Sequence, residues 1–466
     1  MSHDRTHDVV GVGVGPFNLG LAALADPLDD VDAVFLDQRP GFSWHPGMML
    51  EGATIQVPFL ADLVTMADPT SPYSFLAFLK AVGRLYPFYV RESFYPLRAE
   101  YDQYCRWVAD RLTTLRWGRR VVRVERAEGS DDLLVVARLD DGTPETSRTE
   151  TYRTRHVVLG TGTAPRLPAP LAGLVEAAAD VPGAGPVVHS ADYLGRRDEL
   201  VATGAVTVVG SGQSAAEIYR DLLAGAGPDT YRVDWVTRSP RFFPMEYTKL
   251  TLEMTSPEYT DHYRSLPTDL RELLGREQRG LFKGISADLV DDIYDTLYRR
   301  SALGREVPTT LLTDTEVVAA RVERATRRHV LTLRHGQLGT VAPHRTGAVV
   351  AATGYGSGTP DFLAPGLVRL DELGRLDVAR DYTADDAGRV HVAGTEVHTH
   401  GVTAPDLGFG AWRSSVILAQ VTGREPYPIE ERIAFQTFGL PGGVPEPGGT
   451  SHGSQDPDRT TQEVAR

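Results

Sequence analysis

Residues 8–22, DVVGVGVGPFNLGLA, run from an apolar strand pattern through closely spaced glycines into a helical pattern. In a dinucleotide-binding turn, the first glycine permits a tight bend and the second lets the backbone approach a pyrophosphate at the helix N-terminus. Gly11, Gly13 and Gly15 supply this spacing, whereas Pro16 replaces the third glycine of the usual GxGxxG pattern. Proline suits the first turn of a helix, where no amide donor is needed. The stretch predicts a strand–turn–helix unit that binds a dinucleotide.

An acidic residue follows where such a unit needs one. Asp37 ends the next apolar strand, 26 residues after Gly11. In this class of fold a carboxylate there accepts hydrogen bonds from a ribose hydroxyl. The combination of glycines, strand, helix and acid favours dinucleotide binding over a plain glycine turn.

A second strand–glycine–helix unit lies at residues 205–224, AVTVVGSGQSAAEIYRDLLA. Gly210, Gly212 and Ala215 form GxGxxA directly after the strand, a cleaner match than the first. Glu217 is expected to face solvent or to help hold the turn. We expect further hydrogen-bond donors to a pyrophosphate from three polar residues of this turn: Ser211, Gln213 and Ser214.

The strand after this second unit ends differently from the first. The sequence WVTRSPR offers Arg238 and Arg241, where an NAD-binding fold would offer an acid. Arginine suits the 2′-phosphate of NADP through its charge and its forked donors. A surface arginine without a ligand is the alternative for each.

The fold class predicted from these units is α/β, with two Rossmann-like dinucleotide-binding domains, the second inserted in the first, and a small, mostly helical substrate region. Strands near residues 157 and 390 are expected to return to the first sheet. The predicted division is 1–190 for the first part of the first domain, 191–245 and 305–355 for the second domain, 246–304 for the helical region, 356–440 for the return of the first domain with active-site closure, and 441–466 for a disordered tail.

Composition excludes several classes of function. The net charge of −14 argues against nucleic acid as a partner, because a phosphate backbone requires a basic surface. The single cysteine, Cys105, excludes an intramolecular disulfide and the CxxC pair of flavin-dependent disulfide reductases. No signal peptide and no membrane-spanning apolar run is present, so a cytoplasmic protein is expected. We assign no metal site.

Two dinucleotide sites in one chain imply electron transfer from a nicotinamide to a bound flavin. Without a cysteine pair, dioxygen is the expected electron acceptor. The chain is therefore expected to be a monooxygenase or an oxidase.

The sequence also resembles the microbial flavin-dependent N-hydroxylating monooxygenases of siderophore biosynthesis. The resemblance covers residues 8 to 440, and its most specific part is FSWHPGMMLEGATIQVPFLADLVTMADPTSPYSFLAFL, at residues 42–79. Further matching stretches are GSGQSAAE, AATGY and HTHGVTAPDLGFGAWRSS. The family hydroxylates the side-chain amine of ornithine or lysine, or one end of putrescine or cadaverine. The resemblance implies FAD in the first domain, NADPH in the second, dioxygen as co-substrate, and a homodimer or homotetramer.

The resemblance also implies roles for individual residues. Gln56 would line the pocket between flavin and substrate, as a positioning residue in a site with no obvious catalytic base. Packing is the alternative role for Trp44. The residues implied to contact a cofactor, besides the glycine turns, are Trp44, His45, Gln56, Thr353, Gly354, Tyr355 and Leu407.

Two departures from the family pattern concern the substrate. Amino-acid hydroxylases of this family read FLKDL, with the lysine on the substrate's α-carboxylate, whereas this chain has Ala61 in FLADL. Leu252, before Glu253, stands where relatives often have asparagine. Both changes favour a diamine, whose far ammonium needs an anchor such as Glu253 or Asp406. Lys283 would instead supply a relocated cation for lysine.

The alternatives to diamine N-hydroxylation remain open at this point. The first is an L-lysine N6- or L-ornithine N5-monooxygenase, which differs only in substrate. The second is a Baeyer–Villiger or sulfur-oxidising flavin monooxygenase, against which residues 42–79 argue. The third is a non-catalytic flavoprotein that senses redox state or binds a partner.

Overall fold

The structure is a computed structural model that describes residues 5–139 and 148–442. The predicted tail therefore lies almost wholly outside the described residues. The strands are β1 Thr6–Val12, β2 Ala33–Asp37, β3 Leu115–Trp117, β4 Arg119–Arg126, β5 Leu133–Leu139, β6 Thr149–Leu159, β7 Ala164–Pro165, β8 Val187–His189, β9 Ala205–Val209, β10 Arg232–Val236, β11 Thr309–Leu312, β12 Thr315–Glu323, β13 Arg328–His335, β14 Val341–Thr346, β15 Ala348–Ala351, β16 Tyr355–Gly356 and β17 Val390–Val392.

The helices follow the same order. They are α1 Pro16–Ala25, α2 Phe75–Ala81, α3 Leu85–Arg91, α4 Arg98–Ala109, α5 Ala169–Ala179, α6 Tyr193–Ala202, α7 Gln213–Gly225, α8 Lys249–Leu252, α9 Pro257–Ser265, α10 Thr268–Glu277, α11 Ala287–Ser301, α12 Val397–His400 and α13 Gly410–Thr422. Short 3-10 turns occur at Pro46–Met48, Ser190–Asp192, Gln278–Leu281, Ala302–Gly304 and Gly401–Thr403. Among the described helices, none has the length and apolar composition needed to cross a membrane.

The first sheet has the order β3-β2-β1-β6-β5-β4, and β17 also pairs with β6. Strands β3, β2, β1, β6 and β17 are parallel, while β5 and β4 extend the sheet in antiparallel fashion. Val10 pairs with Val34 on one side and Val157 on the other. The return of the strands near 157 and 390 to this sheet is confirmed. Helix α1 packs between the sheet and α13 and buries eight consecutive residues.

The second sheet is fully parallel, with the order β11-β10-β9-β15-β8. Its valine-rich strands are buried on both faces, as parallel sheets require, by α6 and α7 on one side and by α5 with the β12-β13-β14 meander on the other. The predicted α/β class with two dinucleotide-binding folds is confirmed.

The connection between the two folds is a narrow ribbon. Strands β7 and β16 pair antiparallel, with Ala164 opposite Gly356 and Pro165 opposite Tyr355. Strand β8 lies in the second sheet, although the predicted division assigned residues up to 190 to the first domain. Its partner β15 is more than 150 residues away, so no local pattern indicates the pairing. The division into domains stays a prediction and differs from the sheet pairing at this strand.

A buried histidine pair joins two strands of the first sheet. His156 Nδ1 on β6 lies 3.2 Å from His391 Nε2 on β17, and both rings are buried. Burial, with Arg389 nearby, lowers the pKa of His156 to about 4, and burial, with His156 nearby, lowers the pKa of His391 to about 3. The folded protein therefore keeps both rings neutral at a pH where the unfolded chain binds protons.

We expect the melting temperature to fall by several degrees between pH 6.5 and pH 4. The stabilisation from the two depressed pKa values is fully present above pH 6.5 and is lost as the pH falls toward the folded values, at about 1.4 kcal/mol per pKa unit. His391→Asn should reduce this dependence, whereas His335→Asn, on the partly exposed end of β13, should leave it unchanged. Equal pH dependence in the wild type and His391→Asn would contradict the assignment to this pair.

Candidate active site

The first glycine turn joins β1 to α1 and is closely packed. Gly13 has φ +85°, and a Cβ there would lie 2.6 Å from the carbonyl oxygen of Gly160, so only glycine fits. A Cβ on Gly15 would meet no atom within 4 Å, so the space before the helix N-terminus is open for a phosphate group. Pro16 occupies the first helical turn, as the sequence indicates.

The strand-end acid is held by an arginine that sequence reasoning missed. Asp37 accepts the Val14 N–H at 2.7 Å and forms an ion pair with Arg39, whose Nη2 lies 2.9 Å from Asp37 Oδ2. Arg39 also donates its backbone N–H and Nε–H to Oδ1. These four bonds fill the acceptor positions of the carboxylate, so a ribose hydroxyl must displace one of them. The ribose contact of Asp37 stays a prediction.

The second glycine turn joins β9 to α7 and lies against β15. A Cβ on Gly210 would lie 2.1 Å from the Ala352 carbonyl oxygen, and Gly212 precedes the first turn of α7. Gln213 accepts the Ser286 N–H at 2.9 Å and donates to Glu217 at 3.0 Å. Glu217 is buried and bonded to Gln213, so of its two expected roles the structure favours holding the turn over facing solvent. Ser211 and Ser214 are partly buried in this turn.

Positive side chains gather beside this second turn. Arg238 is exposed directly after β10, and Arg241 is exposed in the same loop. Desolvation lowers the pKa of Arg279, with the charges of Arg238 and Arg276 adding to the effect. Because these charges act on one another, the cluster is suited to a ligand with several phosphates.

Lys283 lies near the same turn. Its carbonyl oxygen would be 3.3 Å from a Cβ on Gly212, and desolvation, then the charges of Arg279 and Arg166, lower its pKa. This position favours a phosphate contact. Its role as a carboxylate-binding cation for lysine stays a prediction.

Aromatic rings meet at the junction between the two folds. The His45 ring centroid lies 5.2 Å from that of Trp44 and 5.8 Å from that of Tyr355, which in turn lies 5.0 Å from the His189 ring. The Trp44 ring also lies 5.1 Å from the Tyr101 ring in a tilted contact and is partly buried against the first core, which favours the packing role. His45 follows β2 of the first sheet and Tyr355 follows β15 of the second, so the two folds meet at these rings.

The ATGY segment anchors the junction through the Thr353 hydroxyl and the Gly354 carbonyl. The Thr353 hydroxyl donates to the Arg166 carbonyl at 2.5 Å. The Gly354 carbonyl lies 3.0 Å from both the Arg166 backbone nitrogen and His189 Nε2. These contacts fix the segment that follows β15, next to the rings of His45 and His189.

Gln56 has the orphaned donor expected of a ligand-lining residue. Its Nε2 atom is buried without a hydrogen-bond partner among the described residues. A buried amide donor without a partner costs free energy, so a ligand acceptor there would satisfy it. Leu407 is partly buried against the first core, at the end of the segment that precedes α13. Their cofactor contacts stay predictions.

The residues predicted to contact the non-reacting end of the substrate lie in two separate places. A Cβ on Gly408 would lie 3.0 Å from Asp406 Oδ1 and 3.4 Å from Ala61 Cβ, so Ala61 and Asp406 flank one point. Asp406 accepts the Phe409 N–H at 3.1 Å, and burial raises the pKa of its carboxyl. Ala61 is 5% exposed. The structure thus places the Asp406 carboxylate beside Ala61, the position at which the resemblance implies a lysine in amino-acid hydroxylases.

Leu252 and Glu253 form the second group, and their surroundings differ from those of Ala61 and Asp406. Leu252 is about half exposed at the end of α8. Glu253 accepts the backbone N–H groups of Phe435 and Gln436, both at 3.0 Å, and these bonds lower its pKa. Both oxygens of Glu253 are therefore engaged by the chain's C-terminal segment. Substrate contact by either residue stays a prediction.

A buried ion pair supports the segment that carries Asp406. Arg413 on α13 lies 3.1 Å from Glu396, and both are almost fully buried. Its Nη2 donates to the carbonyls of Thr403 and Ala404 at 2.9 and 2.8 Å. In the sequence, Arg413 lies in a predicted helix and Glu396 in a loop, and their spacing does not predict an ion pair. Within the described residues, no cluster of three or more His, Cys, Asp or Glu side chains is arranged to hold a metal ion.

Comparison with known proteins identifies the family. The family model for L-lysine 6-monooxygenase/L-ornithine 5-monooxygenase matches residues 5–357. The putrescine N-hydroxylase of Shewanella oneidensis is 44% identical over 93% of this chain and 85% of its own length. The crystal structure of DfoA from Erwinia amylovora, a cadaverine monooxygenase of desferrioxamine biosynthesis bound to FAD, is 43% identical with a TM-score of 0.88, covering 95% of this chain and 100% of that one.

A more distant solved structure shows the same architecture with a different substrate. The ornithine N-hydroxylase KtzI of Kutzneria, with reduced FAD, NADP+ and L-ornithine, is 30% identical with a TM-score of 0.77, covering 90% of this chain and 99% of that one. The resemblance drawn from the sequence is confirmed by these matches, and the chain belongs to the L-lysine 6-monooxygenase/L-ornithine 5-monooxygenase family.

Proposed function

We propose that this protein uses FAD, NADPH and dioxygen to hydroxylate one primary amine of a small aliphatic diamine, cadaverine or putrescine, in hydroxamate siderophore biosynthesis. The observation that carries the proposal is the Asp406 carboxylate beside Ala61. The activities of the Shewanella and Erwinia relatives support it.

The head-group chemistry favours a diamine over an amino acid. Ala61 offers no cation to an α-carboxylate, and Asp406 would repel one. An unpaired carboxylate in a partly buried pocket costs on the order of 3 kcal/mol. Since about 1.4 kcal/mol is a factor of ten, lysine and ornithine would be disfavoured by about a hundredfold or more. A distal ammonium, by contrast, pairs with Asp406.

The two nucleotide turns fit the cofactors. The open space at Gly15 and the orphaned Gln56 donor fit FAD, and the Arg238–Arg279–Lys283 cluster fits the phosphates of NADPH. When bound there, FAD and NADPH would together supply the two electrons that activate dioxygen for transfer of one oxygen atom to the amine.

The chain's own residues then bind and orient the amine. Asp406 holds the far ammonium, so the near amine extends from that anchor toward the flavin side of the pocket. Gln56 offers an N–H donor that fixes a ligand acceptor. Trp44 and Tyr101 pack against each other below His45, and their apolar rings would help to keep water from that side of the site. The proposal therefore relies on positioning and not on an acid–base pair.

The test is a product assay on the FAD-loaded enzyme with NADPH and oxygen. Hydroxylamine product is measured from cadaverine, putrescine, lysine and ornithine in parallel. Product mainly from the diamines is expected. Product mainly from lysine or ornithine would overturn the substrate assignment, and peroxide without product from all four would overturn N-hydroxylation of these amines.

Ala61→Lys should raise turnover of lysine relative to cadaverine by about tenfold or more. The introduced ammonium supplies a partner for the α-carboxylate and neutralises Asp406. Leu60→Lys, at a neighbouring side chain that is 43% exposed, is the matched control and should not change the ratio. An unchanged ratio in Ala61→Lys would refute a head-group role for this position.

Arg238→Ala should raise the KM for NADPH by about tenfold to a hundredfold and leave the KM for NADH nearly unchanged, because the 2′-phosphate loses a charge-assisted partner. Arg324→Ala, on the exposed hairpin between β12 and β13, is the control. An equal rise in the KM for NADPH and for NADH would show that Arg238 does not bind the 2′-phosphate.

We also propose a homo-oligomer, a dimer or tetramer, in the cytoplasm, where NADPH is supplied. Helix α3 and the loop after it expose four large apolar side chains: Tyr86, Tyr89, Val90 and Phe94. An apolar patch of this kind is typical of a protein–protein contact. A monomer by light scattering, at the concentrations used for the assay, would contradict the oligomer.

A further inference from the structure

The two folds meet where a turn of the first is seated in the second. A Cβ on Gly47 would lie 1.8 Å from the Ala191 carbonyl oxygen, so the backbones touch. Met48 is 3% exposed and packs in the core of the second fold beside Tyr193. This turn begins directly after His45, which faces Tyr355. Its position therefore sets how the flavin side of the site faces the second glycine turn.

One ion pair holds this turn to the helix of the second glycine turn. Arg98, the first residue of α4, forms a two-pronged contact with Glu217 on α7, at 2.7 and 2.8 Å. The same arginine donates to the Met48 carbonyl at 2.7 Å. The two side chains are 12% and 6% exposed, so water does not weaken the contact as it does at a surface.

The contact continues into the nucleotide turn. Glu217 Oε1 also accepts the Gln213 Nε2–H at 3.0 Å, and Gln213 Oε1 accepts the Ser286 N–H at the start of α11. An unbroken series of hydrogen bonds therefore runs from Met48 through Arg98, Glu217 and Gln213 to Ser286. Each consecutive pair of residues in this series is joined by a hydrogen bond.

We propose that Arg98 and Glu217 are positioning residues that fix the second glycine turn relative to the flavin side of the site, and so set the approach of the nicotinamide to the flavin. The proposal rests on the FAD and NADPH sites proposed above. Hydride transfer is sensitive to such positioning, since a displacement of about 1 Å can cost about a hundredfold in rate. Both side chains are paired within the protein, so they would act through the turn and not on the reacting atoms.

The test compares Glu217→Gln with Arg197→Gln in the FAD-loaded enzyme. Glu217→Gln keeps the size and the acceptor for Gln213 but removes the charge that Arg98 needs. Arg197 pairs with Asp221 inside the second fold at 2.6 Å, so Arg197→Gln removes an ion pair without breaking a hydrogen bond of the series from Met48 to Ser286. Arg98→Lys is the second test variant, because it keeps the positive charge but cannot make the two-pronged contact with the Glu217 carboxylate.

Three quantities are measured: the dissociation constant of NADP+ by calorimetry, the change in the flavin absorption spectrum on adding NADP+, and the rate of flavin reduction at saturating NADPH. In Glu217→Gln we expect NADP+ to bind within about threefold of wild type, a smaller spectral change, and flavin reduction slower by about tenfold to a hundredfold. Arg98→Lys should lie between this variant and wild type, and Arg197→Gln should match wild type.

Wild-type spectral change and limiting reduction rate in both Glu217→Gln and Arg98→Lys would overturn the proposal, whatever their melting temperatures. Equal slowing in Arg197→Gln would also overturn it, because any lost ion pair would then suffice. Failure of the wild type itself to bind FAD or NADP+ would instead contradict the cofactor sites under "Proposed function".

Discussion

Asp406→Asn should lower kcat/KM for cadaverine and putrescine by between about a hundredfold and a few thousandfold. The substitution keeps the size of the side chain but leaves the distal ammonium without its counter-charge, and breaking a buried pair in this way costs about 3–5 kcal/mol. The loss should appear mainly in KM, because the anchor binds the end of the substrate that does not react. Steady-state product formation over a range of diamine concentrations measures it.

Glu253→Gln is the matched control for this prediction. Its carboxylate bonds to the backbone of Phe435 and Gln436, so its loss should loosen that segment and leave the diamine KM within a few fold. If Glu253→Gln weakens diamine binding and Asp406→Asn does not, the anchor has been assigned to the wrong carboxylate.

The pH dependence follows from the same group. Burial raises the pKa of Asp406, and only the ionised carboxylate holds an ammonium. The diamine KM should therefore rise as the pH falls through that raised pKa, at a higher pH than for an ordinary aspartate. In Asp406→Asn this rise should be absent.

Gly13→Ala should yield a protein without bound FAD and without NADPH oxidation. The backbone at φ +85° is strained for alanine by about 1–3 kcal/mol, and the added Cβ would overlap the Gly160 carbonyl, which lies on the neighbouring strand's exit loop. Relieving that overlap displaces the turn that faces the pyrophosphate. Flavin released from purified, denatured protein is measured by its absorbance.

Gly195→Ala provides the control for Gly13→Ala. It lies within α6, where an added Cβ would meet no atom within 4 Å, and alanine favours a helix. This variant should keep a full complement of FAD and a melting temperature at or above that of wild type. Stoichiometric FAD in Gly13→Ala would show that the first turn tolerates the displacement.

The sequence alone predicted those features of the fold and the site that depend on residues adjacent in the chain. The turns at Gly13 and Gly210 each lie between a strand and a helix, so the residue order alone indicates a dinucleotide unit. The replacement of a family lysine by Ala61 likewise needed no structure. These features are local, and the backbone conformation they require restricts the residue types that fit.

The remaining features depend on contacts between distant residues. Glu217 is buried because Arg98 reaches it from α4, and no pattern within α7 indicates that. Strand β8 joins the second sheet through pairing with β15, far along the chain. Glu253 and Asp406 were equivalent as candidate anchors in the sequence. Only their hydrogen-bond partners separate them, since one is engaged by the C-terminal segment and the other flanks Ala61.

The ribbon of β7 and β16 makes residues 166–354 an insert whose two ends meet. Pro165 and Tyr355 pair directly, so these ends are about 5 Å apart. The insert is also fastened to the first fold far from its ends, because Thr260 bonds to Thr403 and Glu253 to the backbone of Phe435 and Gln436. A coenzyme-binding module exchanged at these two positions would therefore need matching partners at both places, so the insert and the residues around Asp406 can diverge in sequence only together.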